Sequence, residues 1–307
     1  MDFEYRDERF ADLQLLRYRL NGFEKLTLQQ KELVYYLAKA ALSGRDITFD
    51  QFGKYNLRIR KMLEVIYVDK TTSHESEEFK ALEVYLKRIW FSSGIHHHYG
   101  CEKFKPGFSP EFLRAALVKV DSRKLPLKEG ETVANLCDEL FPVIFDDSVL
   151  PKRVNKADGE DLLLTSACHF YDGVTQEEAE QFYADMKIQH ADTNAPISYG
   201  LNSTLVKENG ILQEQVWCAS GKYANAIQHI IYWLGKARDV AENNQQKKVI
   251  SLLIKYYESG DLSIFNEYCI EWLKEHDSVV DFINGFIEVS GDPLGLKGSW
   301  EGLVEYI

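Results

Sequence analysis

The segment Ile197–Ala219, "ISYGLNSTLVKENGILQEQVWCA", decides the fold class. Two runs in which apolar and polar residues roughly alternate flank the dipeptide Asn209-Gly210. Alternation with a period of two is typical of a half-buried strand, and Asn-Gly best accepts the positive φ angles of a type I′ turn. We therefore predict a β-hairpin over Ile197–Cys218. Because one hairpin needs another element to pair with or pack on, the fold must contain more than this unit.

Helical patterns dominate the rest of the chain. Thr27 and Gln30 form a capping box before apolar residues that recur at spacings of three and four, and Thr48 with Gln51 repeats the pattern. These patterns predict an α-rich α+β protein. Further helices are predicted over Ser73–Phe91, Phe108–Val120, Thr175–Lys187, Lys222–Asn243, Gln246–Glu258, Ser263–Glu275 and Ser278–Val289.

Two short apolar stretches, Phe141–Phe145 and Leu162–Ser166, are expected to supply extra strands beside the hairpin. The loop-prone stretch 146–159 is the one predicted internal boundary. At the C-terminus, Ser299 resembles an N-cap, and the apolar stripe that follows it stops at Ile307 within two helical turns. A helix this short is marginal by itself, so we expect the protein to continue beyond it.

Charge and composition exclude several classes of protein. The formal net charge of −12 opposes binding to nucleic acid or to an anionic membrane. No apolar run approaches the roughly 20 residues that cross a bilayer, and the charged N-terminus is unlike a signal peptide. The five cysteines are scattered and form no C-x-x-C pair, which favours a reducing compartment and a cytoplasmic location.

The first candidate site is the segment Gly94–Pro106, "GIHHHYGCEKFKP". His96, His98 and Cys101 offer nitrogen and sulfur donors of the kind zinc prefers, although no second pair of ligands is spaced to complete the shell. A solvated polar turn is the second interpretation. The third is a substrate loop, because imidazole, phenol and the backbone amides near Gly100 can form hydrogen bonds with a peptide backbone.

The second candidate is "DSVVDFINGFIEVSGDPLGLKGSWEG", which begins at Asp277. If this stretch is helical, Asp281, Asn284, Gly285 and Glu288 share one face. Two carboxylates on one face can hold an ammonium group or take part in acid–base chemistry. A solvated polar face is the alternative, but the acidic residues stand among apolar neighbours.

Sequence motifs supply no complete catalytic apparatus. The 307 residues contain no H-E-x-x-H, no H-E-x-x-G-H, no G-x-S-x-G, no P-loop and no G-x-G-x-x-G. From motifs alone we therefore predict no complete catalytic apparatus, and no catalytic residue, in this chain.

Both candidate stretches resemble blocks of the dipeptidyl-peptidase III family, zinc exopeptidases that release dipeptides from peptide N-termini. "QKELVYYLAKAALSGRDITFDQFGKYNLRIRKMLE", "PISYGLNSTLVKENG" and "YWLGKARDVAEN" resemble its bacterial branch. The resemblance implies two lobes across a cleft, one helical and zinc-binding, the other built on a five-stranded β-barrel. Residues 1–307 then correspond to the N-terminal, barrel-side lobe, and the zinc lobe lies outside them.

The resemblance also implies roles for single residues. His98, Tyr99 and Gly100 border the peptide cleft, and Asp281 receives the N-terminal ammonium of the substrate. Asn284, Glu288 and Asp292 belong to the same substrate-binding block. Ile283 stands where the family has a tyrosine that stabilises the reacting carbonyl, and an aliphatic side chain cannot do this.

The function that follows is that of the peptide-binding lobe of a zinc-dependent dipeptidyl peptidase, inactive without the zinc lobe. Its expected partners are oligopeptides and the remaining lobe of the same protein, with no nucleic acid and no membrane, and zinc is bound outside this chain. The alternative is a non-catalytic peptide-binding or interaction protein derived from such an enzyme.

Overall fold

A computed structural model of the chain describes residues 3–189 and 197–306. Short 3-10 turns lie at Phe23–Lys25 and Ser122–Lys124. In chain order the helices and strands are β1 (Arg6–Phe10), β2 (Leu13–Leu16), α1 (Leu28–Ser43), α2 (Arg45–Gln51), α3 (Asn56–Val68), α4 (Glu77–Ser92), α5 (Pro110–Lys119), α6 (Val133–Phe145), β3 (Tyr171–Asp172), α7 (Gln176–Gln189), β4 (Ser203–Glu208), β5 (Ile211–Val216), α8 (Ala224–Asp239), α9 (Asn244–Ser259), α10 (Leu262–Trp272), β6 (Val280–Glu288) and β7 (Ser299–Tyr306).

The chain divides into two compact units. Unit 1 contains β1, β2 and helices α3 to α6, and unit 2 contains all the other helices and strands. Unit 1 consists of Met1–Asn21, Phe52–Val154 and Thr165–Ala167, and unit 2 of Gly22–Gln51, Asn155–Leu164 and Cys168–Ile307. The predicted α-rich α+β class is confirmed. In the described part of the chain, no helix is both long and apolar enough to cross a membrane.

Unit 1 is built on two helix pairs, α3 with α4 and α5 with α6. Helix α6 begins at a capping box between Thr132 and Asn135 and extends through Phe145. The predicted strand at Phe141–Phe145 is therefore wrong. In isolation that run fits a strand, but with Leu136 and Leu140 before it the apolar residues follow the helical period, and both leucines are fully buried.

Unit 2 contains the predicted hairpin. Strands β4 and β5 pair antiparallel, from Ser203 opposite Val216 to Glu208 opposite Ile211, and Asn209 and Gly210 take φ angles of 50° and 81°. Strand β3 adds in parallel to β4. The second predicted partner strand, Leu162–Ser166, is wrong, because this stretch forms turns. The described strands make three small sheets, β1-β2, β3-β4-β5 and β6-β7, none of them a closed barrel.

The repeated capping pattern has two different outcomes in unit 2. Thr27 and Gln30 form the predicted capping box of α1. Thr48 and Gln51 do not, because the chain is already helical from Arg45 to Gln51. The buried Gln51 amide instead donates to the carbonyl of Gly298 at 3.1 Å and accepts from the amide of Trp300 at 2.8 Å. It therefore anchors the start of β7.

The two helices predicted at the C-terminus are strands. Residues Val280–Glu288 form β6 and Ser299–Tyr306 form β7, paired antiparallel with Phe286 opposite Trp300. Along β6, Val280, Phe282 and Asn284 are buried, and the residues between them are half-buried. This alternation is the period of a strand, and α1, which contacts both strands, packs against the hairpin.

Candidate functional site

The predicted substrate residues divide between the two units. His98, Tyr99 and Gly100 belong to unit 1, whereas Asp281, Asn284, Glu288 and Asp292 belong to unit 2.

In unit 1 the histidines lie in a tight turn that contains several local hydrogen bonds. The His97 amide donates to the carbonyl of Glu102 at 2.8 Å. The amides of Tyr99 and Gly100 donate to Nδ1 of His97 at 3.2 and 3.1 Å. Cys101 closes the turn with a left-handed φ of 63°. The middle histidine therefore acts as a cap for its own turn.

The exposed side of this turn is aromatic. The His98 ring lies 5.0 Å from the ring of Phe91 and 4.6 Å from that of Tyr99, and Tyr99 is 86% exposed. Nη2 of Arg153 donates to the His98 carbonyl at 3.1 Å and fixes the backbone there. Partial burial, with neighbouring His97 and Arg153, lowers the pKa of His98. The turn therefore presents a neutral imidazole and a phenol beside each other.

His96 points the other way, into the core of unit 1. It is 2% exposed, and its Nε2 lies 2.9 Å from the carbonyl of Leu150. Burial lowers the pKa of His96 to about 4, since the charged imidazolium would lose its hydration. Across residues 3–189 and 197–306, no group of three or more His, Cys, Asp or Glu side chains could hold a metal ion. His96, His98 and Cys101 are therefore not among any such group in the described residues.

In unit 2, Asp281 lies on β6 rather than on a helix. Its Oδ1 accepts hydrogen bonds from the indole Nε1 of Trp272 at 3.1 Å and from the amide of Phe282 at 2.7 Å. Since side chains alternate along a strand, Asp281 shares its face with Ile283, and Asn284 belongs to the opposite face. The predicted common helical face of Asp281, Asn284 and Glu288 is therefore wrong.

A second carboxylate stands opposite the first. Asp281 pairs in register with Glu305 of β7, so the two side chains lie on the same face of the hairpin. Like charges directly opposite each other destabilise a strand pair. Within the described residues neither carboxylate forms an ion pair. A cation placed between them would remove this repulsion.

The other two predicted substrate-binding residues on β6, Asn284 and Glu288, differ in exposure. Asn284 is 2% exposed, and its Oδ1 accepts from the hydroxyl of Tyr257 at 2.6 Å. It therefore stabilises the core under the strand. Glu288 is exposed, and its Oε1 accepts from the amide of Ser290 at 2.8 Å, a hydrogen bond that lowers the pKa of Glu288.

Asp292 organises the connection between β6 and β7. Its fully buried carboxylate accepts from the hydroxyl of Tyr171 at 2.9 Å. It also accepts from the amides of Leu294 at 3.1 Å and of Leu296 and Lys297 at 2.9 Å. Four donors thus converge on one side chain, which fixes the turn.

A buried lysine that sequence reasoning missed lies beside this turn. Lys297 is fully buried, and its Nζ donates to the hydroxyl of Tyr183, to the carbonyl of Gly200 at 3.2 Å and to Oγ of Ser203 at 3.2 Å. Burial lowers the pKa of Lys297 to about 7, although the carboxylates of Glu214 and Asp292 oppose this shift. The stretch "GLKG" contains no signal that predicts it.

A second missed cluster lies around Asp50 in unit 2. Its carboxylate accepts from the hydroxyl of Tyr223 at 2.5 Å, lies 3.2 Å from Nδ1 of His169 and 3.1 Å from Nζ of Lys222. Burial would raise the pKa of Asp50, but these three partners outweigh burial and lower it to about 2. Its members are up to 173 residues apart, so no motif reveals the cluster.

An apolar groove of about 410 Å³ lies between α10 and β6 in unit 2. Trp272, the residue that donates to Asp281, lines it at one point. The full lining is Ser198, Leu201, Phe265, Tyr268, Cys269, Trp272, Phe282, Ile283, Phe286, Ile287 and Val289.

Comparison with known proteins agrees with the resemblance of the candidate stretches. The family "Peptidase family M49" matches residues 172–307. Dipeptidyl peptidase 3 of Homo sapiens is 23% identical over 322 aligned positions, which cover 93% of this chain and 43% of the human protein. Dipeptidyl peptidase 3 of Dictyostelium discoideum is 24% identical, with 94% and 43% covered. The chain thus spans less than half the length of these relatives.

Solved structures show the same similarity at the level of the fold. Dipeptidyl peptidase III from Caldithrix abyssi superposes with a TM-score of 0.58 at 18% identity, covering 92% of this chain and 40% of that one. The protein from Corallococcus sp. strain EGB gives a TM-score of 0.59 at 17% identity, covering 94% and 40%. The chain is thus similar in sequence and in fold to dipeptidyl peptidases III, and its residues 172–307 match peptidase family M49.

Proposed function

We propose that this chain is the peptide-binding part of a zinc-dependent exopeptidase that releases dipeptides from the N-termini of oligopeptides. The observation that carries the proposal is the pair of carboxylates on β6 and β7, Asp281 opposite Glu305, beside an apolar groove. A free ammonium group is the one feature shared by all substrates of such an exopeptidase. A carboxylate that already has two hydrogen-bond donors is its natural partner, because charge-assisted hydrogen bonds are stronger than neutral ones.

The other predicted residues take supporting roles in this proposal. His98, Tyr99 and Gly100 border the peptide, with the exposed phenol of Tyr99 available to it. Glu288 adds negative charge near the hairpin end. Asn284 and Asp292, both buried, hold β6 and its turn in place.

In this proposal the catalytic metal is bound by residues outside this chain. Zinc bound there would lower the pKa of a water molecule toward neutrality and so supply the nucleophile. Because the sequence contains no H-E-x-x-G-H motif, the proposal assigns this chain no zinc ligand, and we expect it to hydrolyse no peptide by itself. The seven described strands form three separate sheets and do not close into the five-stranded barrel of the family.

Calorimetric titration of the chain with a pentapeptide and with its N-acetylated form tests the proposal. We expect binding of the free amine that acetylation or Asp281→Asn weakens at least tenfold, because each removes one half of the ion pair. A dipeptide naphthylamide should not be cleaved by the chain alone. Equal affinity for the free and acetylated peptides, or cleavage that survives a chelator, would overturn the proposal.

A non-catalytic peptide-binding protein is the second candidate, favoured by the absence of any catalytic motif from the 307 residues. It predicts the same dependence on the free amine. The two candidates differ in the coding sequence downstream: an H-E-x-x-G-H motif in frame supports the peptidase, and an in-frame stop supports the binding protein.

A further inference from the structure

A second groove, of about 490 Å³, is formed entirely by residues of unit 1. Its volume lies within the range of about 300–1,000 Å³ that ligand sites usually have. The lining comes from α3, from α4 and from the residues at the end of the 3-10 turn Ser122–Lys124. No residue of the β6–β7 hairpin contributes to it. The apolar part of the lining is Val65, Tyr67, Val68, Trp90 and Pro126.

The indole ring of Trp90 is held in place although 39% of this residue is exposed. Its Nε1 donates to Oε1 of Glu64 at 2.8 Å, and the same oxygen lies 3.4 Å from Nε of the buried Arg60. The ring of Tyr67 meets that of Trp90 edge-on, with the two centroids 5.7 Å apart. The orientation of the indole is therefore fixed before a ligand arrives, which lowers the entropic cost of binding against it.

The charged part of the lining is positive overall. It consists of two lysines and one carboxylate, Lys61, Lys124 and Glu64. The Glu64 carboxylate is already shared by the two donors just described. Within the described residues neither lysine forms an ion pair, and Lys124 acts on Asp69 and Asp121 only through longer-range electrostatics. Two ammonium groups therefore stand beside an aromatic surface without a close anion of their own.

We infer that this groove of unit 1 binds a small organic acid that has an aromatic body and one carboxylate. The body packs against Trp90 and Tyr67, because aromatic rings attract each other in edge-on and offset arrangements. The carboxylate accepts hydrogen bonds from Lys61 and Lys124, and such charge-assisted bonds are stronger than neutral ones. An aromatic cation is the ligand that these charges disfavour. The inference is independent of the proposed function, since it uses no residue of the proposed peptide site.

The direct test is a titration of the full 307-residue chain with three probes that carry the same phenyl ring on a four-carbon chain. The probes are 4-phenylbutyrate, 4-phenylbutyramide and 4-phenylbutylamine, and ligand-observed NMR at low ionic strength measures their dissociation constants. The acid should bind about 3- to 10-fold more tightly than the amide, because exposed ion pairs contribute on this scale. The amine should bind more weakly than the amide. Equal affinities, or tightest binding of the amine, would overturn the inference.

Removal of the two ammonium groups locates the site. The double variant Lys61→Gln with Lys124→Gln changes two exposed side chains and should bring the acid-over-amide ratio to about one while the amide still binds. The matched control is Lys119→Gln with Lys152→Gln, two exposed lysines of the same unit that do not line the groove. An acid preference that survives the groove variant, or that the control removes equally, places the binding elsewhere and overturns the inference.

A second variant decides the question if the lysine variant fails to fold by circular dichroism. Val68 lines the groove and is 69% exposed, so Val68→Glu adds a carboxylate there without disturbing the core. It should reduce the acid-over-amide ratio at least threefold. Val118→Glu is the control, since Val118 is 76% exposed on α5 of the same unit and should leave the ratio unchanged. A probe that adsorbs to other exposed apolar surfaces would give the same ratio in both variants, and this result also overturns the inference.

Discussion

The histidine turn of unit 1 and the C-terminal hairpin of unit 2 both carry residues proposed to meet a peptide, but they satisfy their polar groups in different ways. In the turn, the His97 ring accepts from the nearby amides of Tyr99 and Gly100, and one more distant bond comes from Arg153 to the His98 carbonyl. In the hairpin, Asp292 also accepts from nearby backbone amides, but the carboxylate of Asp292 and the ammonium of Lys297 form further bonds to side chains 94 to 121 positions away. Substitutions of the exposed side chains of the turn should therefore change binding alone, whereas those of the buried hairpin residues should also change stability.

The largest effect is expected for Asp292→Ala. The change leaves the hydroxyl of Tyr171 and three backbone amides without their acceptor and removes a carboxylate beside Lys297. We expect the free energy of unfolding to fall by about 3–5 kcal/mol, the usual cost of breaking a buried charged network. Urea denaturation followed by tryptophan fluorescence measures it. Asp277→Ala, at an exposed position of the same unit, is the control, and a loss under 1 kcal/mol for Asp292→Ala would contradict the comparison.

The next effect concerns Lys297 and pH. Its pKa is about 7 in the folded chain against the ordinary lysine value of 10.5, so between these values the unfolded chain binds more protons. The free energy of unfolding should therefore rise with pH, by about 1–3 kcal/mol from pH 7 to 9. Lys297→Met should flatten this rise. The tyrosines facing Lys297, Tyr171 and Tyr183, have raised pKa values and stay protonated in this range. Parallel urea series at pH 7, 8 and 9 give the slopes; identical slopes would rule the effect out.

His96 offers the corresponding experiment in unit 1, at lower pH. The pKa of His96 is lowered from 6.5 to about 4. Its contribution to folding stability is therefore fully present above pH 6.5 and is lost as the pH falls toward 4. We expect the free energy of unfolding of unit 1 to fall by about 1–3 kcal/mol between pH 7 and 4.5 because of His96. Hydrogen–deuterium exchange of unit 1 peptides measures the loss. His96→Gln, which can still donate to the Leu150 carbonyl, should show a smaller loss, and an equal loss would show that other groups dominate.

The smallest effect on stability is expected for Tyr99→Ala. The side chain is 86% exposed, so the free energy of unfolding should change by less than about 0.5 kcal/mol. Peptide binding should nevertheless weaken about 2- to 10-fold through the lost aromatic contact. Tyr18→Ala is the control, because Tyr18 is 81% exposed in the same unit. A peptide affinity that does not change on Tyr99→Ala would remove the histidine turn from the proposed site.

Local patterns predicted those parts of the chain in which neighbours in sequence are also partners in space. The Asn209-Gly210 turn and the Thr27–Gln30 capping box are each formed by residues within a few positions of one another. The same reasoning failed for Gln51, whose partners Gly298 and Trp300 are almost 250 residues away. A capping pattern contains no information about a distant strand that competes for the same amide.

The sequence by itself determined that the chain is α-rich with at least one hairpin, that it contains no catalytic motif in its 307 residues, and which family it resembles. Only the tertiary structure decided that residues 280–288 and 299–306 are strands, that Asp281 faces Glu305, and that Lys297 is buried. The reason is physical: "VVDFINGFIEV" is apolar enough to be buried as a helix or as a strand. The choice depends on the partner it meets, here β7 with α1 packed against the pair, and those partners are far away in the sequence.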